Sequence, residues 1–358
     1  MIIVNGAFLC RNLTGIERFA FEICKNLDNI IPKDKIGIFI PANAKIKPKY
    51  KNIKCLYSKK ECKRFPYWDH VIFRNFVKKN HFIPLSFSNV APLFCPGIVF
   101  IHDIYAKLYP KDFSSFKDKL IKIYMCMMYF YAVKCAKLLL TVSEFSKKQI
   151  AKAYKIPEEK IFVIPNGWDH FLAIEEDFSI FEKFPLLKAR DFYFTLGSLS
   201  KRKNLKWIAD YAEKNPKELF AISGKAISGL VPDELKKLQT LQNVVLLGYV
   251  SDGNVKALMK KCKAFIFPSY YEGFGIPPLE ALSVGAKAVV SNKASLPEIY
   301  QDCAYYISPD NTDVNLEELI SKNVENPSKI LEKYTYKNAA HRLYQILNSS
   351  DCASYRVT

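Results

Sequence analysis

With 358 residues the chain is longer than one hydrophobic core of ordinary size sustains, so two domains are expected. Hydrophobic residues at 49% and charged residues at 25% exclude a disordered chain, and no run approaches the roughly 20 apolar residues that a membrane span needs. The net charge of +18, from 53 Lys and Arg against 35 Asp and Glu, exceeds what solubility requires and points to an anionic partner, either nucleic acid or a membrane face.

The chain begins with a strand-like run, Met1-Ile2-Ile3-Val4, with no basic and apolar leader, so no export is expected. Gly15 sits in a loop before a helical pattern over 17–27. A strand at 36–40 is followed by Lys45, Lys47, Lys49, Lys51, Lys54, Lys59, Lys60, Lys63 and Arg64, a basic tract with little acid in it. The apolar run 97–101 delivers His102 and Asp103 at its C-terminal end. Phe116, Leu120, Ile123, Tyr124, Met127, Phe130 and Tyr131 then recur at helical spacing, with Lys117, Lys119, Lys122 and Lys134 between them. Such a helix either faces the core of the first domain with solvated lysines or lies on a membrane. Short runs at 138–142 and 161–164 follow, Asn166-Gly167 reads as a turn, and the polar, charge-mixed stretch 168–191 reads as the linker.

In the second half, strands at 192–196, 219–222, 244–247, 264–267 and 288–290 alternate with helical patterns, so both halves are expected to be doubly wound α/β domains with parallel sheets. The last helical pattern, 336–347, precedes a polar tail. Ten cysteines are scattered with no Cys-x2-Cys pair, which argues against zinc and against a disulfide framework and for a reduced, cytoplasmic protein.

Two loops carry candidate chemistry. The strand 264–267 leads into Pro268-Ser269-Tyr270-Tyr271-Glu272-Gly273-Phe274-Gly275-Ile276-Pro277-Pro278-Leu279-Glu280-Ala281, a glycine-rich loop and a helix start. Pro277 suits a first helical position, the N–H groups of that turn could receive an anion or a sugar oxygen, and Glu272 and Glu280 could accept hydrogen bonds from a polyol. The alternative is an ordinary strand-to-helix loop with acidic capping. The strand 192–196 ends in Gly197-Ser198-Leu199-Ser200-Lys201-Arg202-Lys203-Asn204, three cations where an open α/β sheet would receive a polyphosphate, or else a solvated surface triplet.

Together these segments resemble the retaining glycosyltransferase family 4, nucleotide-sugar enzymes of the GT-B fold. The resemblance takes in Glu272 to Glu280 with seven residues between, the segment 197–204, and Gly285-Ala286 through Ser295-Leu296-Pro297-Glu298. Upstream it includes Thr14-Gly15-Ile16-Glu17-Arg18-Phe19, Ile101-His102-Asp103, Val142-Ser143-Glu144-Phe145-Ser146 and Ile164-Pro165-Asn166-Gly167. Within the family it looks most like the O-antigen and capsule mannosyl- or rhamnosyltransferases of bacteria.

The resemblance implies two Rossmann-like domains facing a central cleft, 1–170 on the acceptor side with a final helix (336–358) crossing back to it, and 171–335 for the nucleotide sugar. It implies that Arg202 and Lys203 hold the donor diphosphate, that Glu280 receives the ribose hydroxyls, and that Glu272 meets the sugar with the amides of Phe274, Gly275 and Ile276. Tyr249 and Val250 would flank the base, His102 would lie near the 6-position of the donor sugar, and Gly15 would let the backbone approach the phosphates. The reaction implied moves a sugar, with mannose from GDP-mannose favoured over rhamnose or another hexose from a dTDP- or UDP-sugar, to a glycan or polyprenyl-diphosphate-linked acceptor. No cofactor and no metal are expected, since cationic side chains can replace a divalent ion at the leaving group. With the charge, this implies a cytoplasmic enzyme peripheral on the inner face of the membrane. A nucleotide-sugar epimerase is the nearest enzyme rival; a phosphorylase would need a much longer chain. Against a nucleic-acid-binding protein stands the absence of zinc-finger, helix-turn-helix or RNA-recognition signatures.

Overall fold

Long buried runs such as Ile36–Ile40, apolar on both faces, are what parallel strands covered by helices require. The structure, a computed structural model, describes residues 1–197, 200–224 and 232–349, with 232–235 described by backbone only. Ser198 and Leu199 of the basic loop and most of the polar tail lie outside the described residues. The chain divides into two compact units, one of Met1–Gly167 together with the chain from Tyr334, the other of Trp168–Lys333.

The first unit is built on β1 (Ile2–Asn5), β2 (Ile36–Ile40), β3 (Lys54–Tyr57), β4 (Ile83–Ser86), β5 (Ile98–Phe100), β6 (Leu138–Thr141) and β7 (Ile161–Val163). They form one parallel sheet in the order β3-β2-β1-β4-β5-β6-β7, with Ile2 paired to Ile36 on one side and Ile83 on the other. Strand order reverses at β1 and β4, the place where open α/β sheets receive ligands. Helix α1 (Ile16–Asp28) buries Phe19, Ala20, Ile23, Cys24 and Leu27. The final helix, Tyr336–Asn348, packs against it with Tyr336, Ala339, Ala340, Leu343 and Leu347, and Thr335 caps it by accepting from the Asn338 N–H at 3.1 Å. Burial of each large side chain in that stripe contributes roughly 1.5–3 kcal/mol, which ties the end of the chain to the first unit as the GT-B resemblance implies.

Helix α2 (Phe116–Cys135) does not turn its apolar sequence pattern to the core. Its core contacts come from Met128, Tyr129 and Ala132, while Phe116, Leu120, Ile123, Met127 and Phe130 lie on the opposite side and are exposed. The apolar periodicity is therefore not the core-facing stripe. Tyr124 and Tyr131 stand at its borders, the first sharing a 2.8 Å hydrogen bond with His70 Nε2 and the second accepting from the Phe94 N–H at 2.7 Å. Every cation of the basic tract, Lys45 to Arg64, is exposed.

The second unit carries β8 (Phe192–Leu196), β9 (Leu219–Ser223), β10 (Val244–Gly248), β11 (Ala264–Phe267), β12 (Ala288–Ser291) and β13 (Tyr305–Ile307), again all parallel, in the order β10-β9-β8-β11-β12-β13. The switch point falls between β8 and β11, where Phe265 pairs with Phe194. Its core gathers Tyr193, Phe220, Ile266 and Val289 with Ile208 and Tyr211 of α3 (Leu205–Lys214).

The segment 168–191 is not a linker. It folds onto the second unit as short helical turns that bury Phe171, Ile180, Phe181 and Leu187, and Lys256 Nζ donates to the Phe171 and Ile174 carbonyls at 3.0 and 2.7 Å. The spaced apolar residues were hidden in the sequence by the average polarity of the stretch.

Candidate functional site

The two chemical loops of the second unit leave the C-terminal ends of the neighbouring strands β8 and β11, and side chains lock them together. Lys201–Lys203 forms a single 3₁₀ turn that ends on Asn204 in the left-handed conformation (φ 56°), which Asn tolerates better than most residues. The Asn204 amide donates to the carbonyls of Pro268 (3.1 Å) and Pro309 (2.8 Å), and the Tyr270 N–H donates back to the Arg202 carbonyl at 3.1 Å. A Cβ on Gly197 would sit 3.3 Å from Lys203 Cε, so the glycine leaves room for the lysine stem.

Lys203 then meets Glu272 at 2.7 Å, the two side chains 14% and 7% exposed, with the ammonium 4.6 Å from the centre of the Phe267 ring. Burial alone would raise the Glu272 pKa, but the cations of Lys203 and Arg202 outweigh it and hold the carboxyl below its usual range. The lysine lines a small pocket over the strand ends with Thr195, Gly197, Ser223, Phe267 and Ser269. At neighbouring β10, Gly248 (φ 67°) turns its carbonyl to accept from Ser223 Oγ at 3.1 Å; Tyr249 beyond it is exposed and Val250 is buried.

The glutamate loop is held from beneath by hydroxyls. Ser295 Oγ reaches the carbonyls of Glu272 and Phe274, each at 3.0 Å, Ser291 Oγ donates to the Ser269 carbonyl, and the Tyr300 hydroxyl donates to that of Gly275. Gly275 has φ 87°, and a Cβ there would stand 2.7 Å from Leu296 Cδ2. These three hydroxyls were not singled out by sequence; Ser295 lies within a motif of the resemblance, but its target is set by tertiary packing.

Helix α4 (Pro277–Ser283) departs from expectation at its start. Pro277 and Pro278 have no N–H to offer, and the N–H groups of Leu279 and Glu280 donate to the Ile276 carbonyl at 2.9 and 3.3 Å. The first turn is thus not the row of anion-binding amides that the sequence suggested. Glu280 points instead to His170, Oε1 to Nε2 3.1 Å, both largely buried. His170 was missed because it lies in the stretch read as a linker.

His102 and Gly15 belong to the first unit. The His102 ring is 7% exposed; its Nε2 lies 2.7 Å from the Phe87 carbonyl, which can only accept, so Nε2 carries the hydrogen and Nδ1 of the neutral ring is an acceptor. Burial lowers its pKa against the opposing pull of the Phe87 bond and Asp103. Phe19 packs edge-on to the imidazole at 5.0 Å, and its N–H donates to the Gly15 carbonyl at 3.0 Å, which links the two predicted residues through one turn of α1. Gly15 itself has φ 50°, and a Cβ there would meet nothing within 4 Å. Arg202, Lys203, Glu272, Phe274, Gly275, Ile276 and Glu280 thus gather at one switch point, while Tyr249 and Val250 follow β10, separated from β8 by β9. Among the described residues, no group of three or more His, Cys, Asp or Glu side chains is placed to hold a metal ion.

Comparison with known proteins agrees with this architecture. The family Glycosyl transferases group 1 matches residues 176–342, and Glycosyltransferase Family 4 matches residues 76–170. O-antigen chain mannosyltransferase B of Escherichia coli is 28% identical over 243 residues, covering 64% of this chain and 58% of that one. The UDP-Gal:alpha-D-GlcNAc-diphosphoundecaprenol alpha-1,3-galactosyltransferase of Escherichia coli is 32% identical over 194 residues, 50% of this chain and 49% of that one. The match thus spans less than two thirds of the length of these relatives. Among solved structures, sucrose-phosphate synthase from Thermosynechococcus elongatus superposes with a TM-score of 0.72 at 11% identity, covering 98% of this chain and 99% of that one. WaaG, a glycosyltransferase involved in lipopolysaccharide biosynthesis, does so with a TM-score of 0.64 at 16% identity, covering 99% of each chain. At those identities the likeness concerns the fold, two parallel-sheet domains of GT-B type. With both family matches in order along the chain and the fold that goes with them, the chain carries the two domains of a GT-B glycosyltransferase, Glycosyltransferase Family 4 followed by Glycosyl transferases group 1.

Proposed function

We propose that the chain transfers a hexose, with retention at the anomeric carbon, from a nucleotide sugar to a lipid-linked or oligosaccharide acceptor in bacterial surface polysaccharide synthesis. The observation that carries this reading is the buried Lys203–Glu272 pair, with Arg202 beside it, at the switch point of the second sheet. A buried ion pair is a poor source of stability, so its retention there points to charge kept ready for a ligand.

On this reading Arg202 and Lys203 face the diphosphate, and Glu272, kept ionised by them, accepts from sugar hydroxyls near the amides of Phe274, Gly275 and Ile276. Glu280, held by His170, accepts from the ribose, and Tyr249 and Val250 flank the base. The bond from the anomeric carbon to the β-phosphate oxygen breaks, and the acceptor oxygen attacks from the same face. The acceptor's proton passes to the departing phosphate. The cations stabilise the negative charge that grows on that phosphate, each contact being worth roughly 3 to 4 kcal/mol, so no divalent ion is needed. His102 and Gly15 retain the roles toward donor sugar and phosphates that the family resemblance gives them.

GDP-mannose is the favoured donor because two relatives at 28% identity are named O-antigen mannosyltransferases. A UDP- or dTDP-hexose is the second reading, favoured by the relative at 32% that is named for UDP-Gal. The lipid-linked acceptor puts the enzyme at the inner face of the cytoplasmic membrane. Thermal unfolding in the presence of GDP-, UDP- and dTDP-sugars tests the donor: a ligand at about a hundred times its Kd stabilises by roughly 2.7 kcal/mol. Stabilisation by GDP-mannose alone is expected, stabilisation by a UDP- or dTDP-hexose instead selects the second reading, and no response to any of them overturns both.

A further inference from the structure

Helix α2 is apolar on two sides, yet only one is covered. Phe116, Leu120, Ile123, Met127 and Phe130 follow one another at spacings of three and four, so they form a single straight stripe. They are between 52% and 78% exposed, while Met128, Tyr129 and Ala132 hold the opposite side to the core. A helix with apolar residues all round is ordinarily buried all round. Phe94 adds to the anomaly: it is 74% exposed, in a left-handed conformation (φ 64°), and its N–H is bound to Tyr131 of the same helix. An aromatic residue in that conformation with its ring in solvent gains nothing from packing within the chain.

The charges around the stripe have one sign. Lys117, Lys119 and Lys134 are exposed, whereas the helix's single acid, Asp118, is buried beneath its N-cap, where Ser115 Oγ lies 2.6 Å from its carboxylate. A second copy of the chain laid on this face would bring those lysines together, and like charges across an interface oppose pairing. An anionic bilayer takes both features, apolar side chains at the boundary of headgroups and acyl chains and lysines among the phosphates.

The geometry points to the outer face of α2, with Phe94, as a monotopic docking surface for an anionic phospholipid bilayer. This deepens the lipid-linked acceptor reading by naming the surface that would meet the lipid. It uses no catalytic residue, so donor hydrolysis assayed without vesicles tests the transferase reading separately.

The full-length chain carrying Phe130→Trp provides a local reporter. On vesicles of phosphatidylglycerol and phosphatidylcholine its emission is expected to shift to the blue and to be quenched by brominated acyl chains, with little change on phosphatidylcholine alone. The combined change Leu120→Ser, Ile123→Ser and Met127→Ser removes exposed groups only, so the melting temperature should hold while partitioning into the anionic vesicles falls about a hundredfold. Solvent-like emission at position 130 with vesicles present would overturn the proposal, and this test stands even if the triple variant folds poorly. So would undiminished vesicle binding by a folded triple variant, which would assign binding to charge alone. A concentration-dependent dimer that the triple variant abolishes, without vesicle binding by the wild type, would assign the face to a second copy.

Discussion

Lys203 and Glu272 illustrate how the environment, rather than residue type, sets chemistry at a single position. The carboxylate stays ionised in a buried wall because two cations outweigh its desolvation, and the lysine is kept in place by Glu272 and by the space at Gly197. The same logic applies to Glu280, whose orientation rests on His170. Loss of one hydrogen bond to a charged group costs about 1.5 kcal/mol, so His170→Phe is expected to weaken nucleotide binding about tenfold while leaving turnover at saturating donor nearly unchanged. Titration calorimetry beside steady-state kinetics separates the two, and an equal fall in turnover would place His170 in the chemical step instead. Asp69 gives the reverse electrostatic case. Burial pushes its carboxyl up to about 7, against the Asn5 amide that donates to it at 2.6 Å and the charge of Arg11. Because this pKa is above the unfolded value of about 3.9, the folded state keeps a proton that the unfolded state has released. That contribution is complete below the unfolded pKa and is lost as pH rises through about 7. The wild-type melting temperature should therefore fall, relative to that of Asp69→Asn, between about pH 4 and 7; parallel profiles for the two proteins would remove Asp69 as the cause.

At the scale of elements, the glutamate loop is held rigid by groups arriving from three directions: Asn204, the hydroxyls of Ser295 and Tyr300, and the packing of Leu296 on Gly275. Gly275→Ala puts a Cβ into Leu296 at a positive φ and is expected to destabilise the second unit by roughly 1–3 kcal/mol, measured by denaturant unfolding. Unchanged stability would mean that the loop is free to shift. The strands were legible in sequence because a parallel strand covered on both faces is a continuous apolar run, as β2 and β11 are. The two loops were legible as glycine- and charge-bearing loops after such runs, each with an ordinary surface alternative, and only the family resemblance pointed them to a nucleotide sugar. What could not be read depends on partners far along the chain. Periodicity shows that α2 has an apolar stripe, not what covers it; the Ser295 hydroxyl has no target until β11 and β12 lie side by side; and the amides of α4 were counted before its second proline and the Ile276 carbonyl claimed them.

The whole molecule combines a positive balance of +18 with a proposed donor site whose cations come from side chains. If those cations carry the leaving-group charge, activity should survive chelation by EDTA, whereas an absolute requirement for Mg²⁺ or Mn²⁺ would assign that charge to an ion. The basic tract 45–64 should add long-range attraction to an anionic surface, each lysine close to it contributing about 1 kcal/mol, and salt should weaken this part of binding while sparing the apolar contact of α2. The central claim is that the second unit cleaves a nucleotide sugar with Lys203 at the leaving diphosphate. Release of nucleoside diphosphate from GDP-mannose and from UDP- and dTDP-hexoses, compared between the wild type and a folded Lys203→Ala, tests it most directly. The account predicts turnover of one donor by the wild type and a loss of about a hundredfold in the variant; no release from any donor, or equal rates in the two proteins, would contradict it.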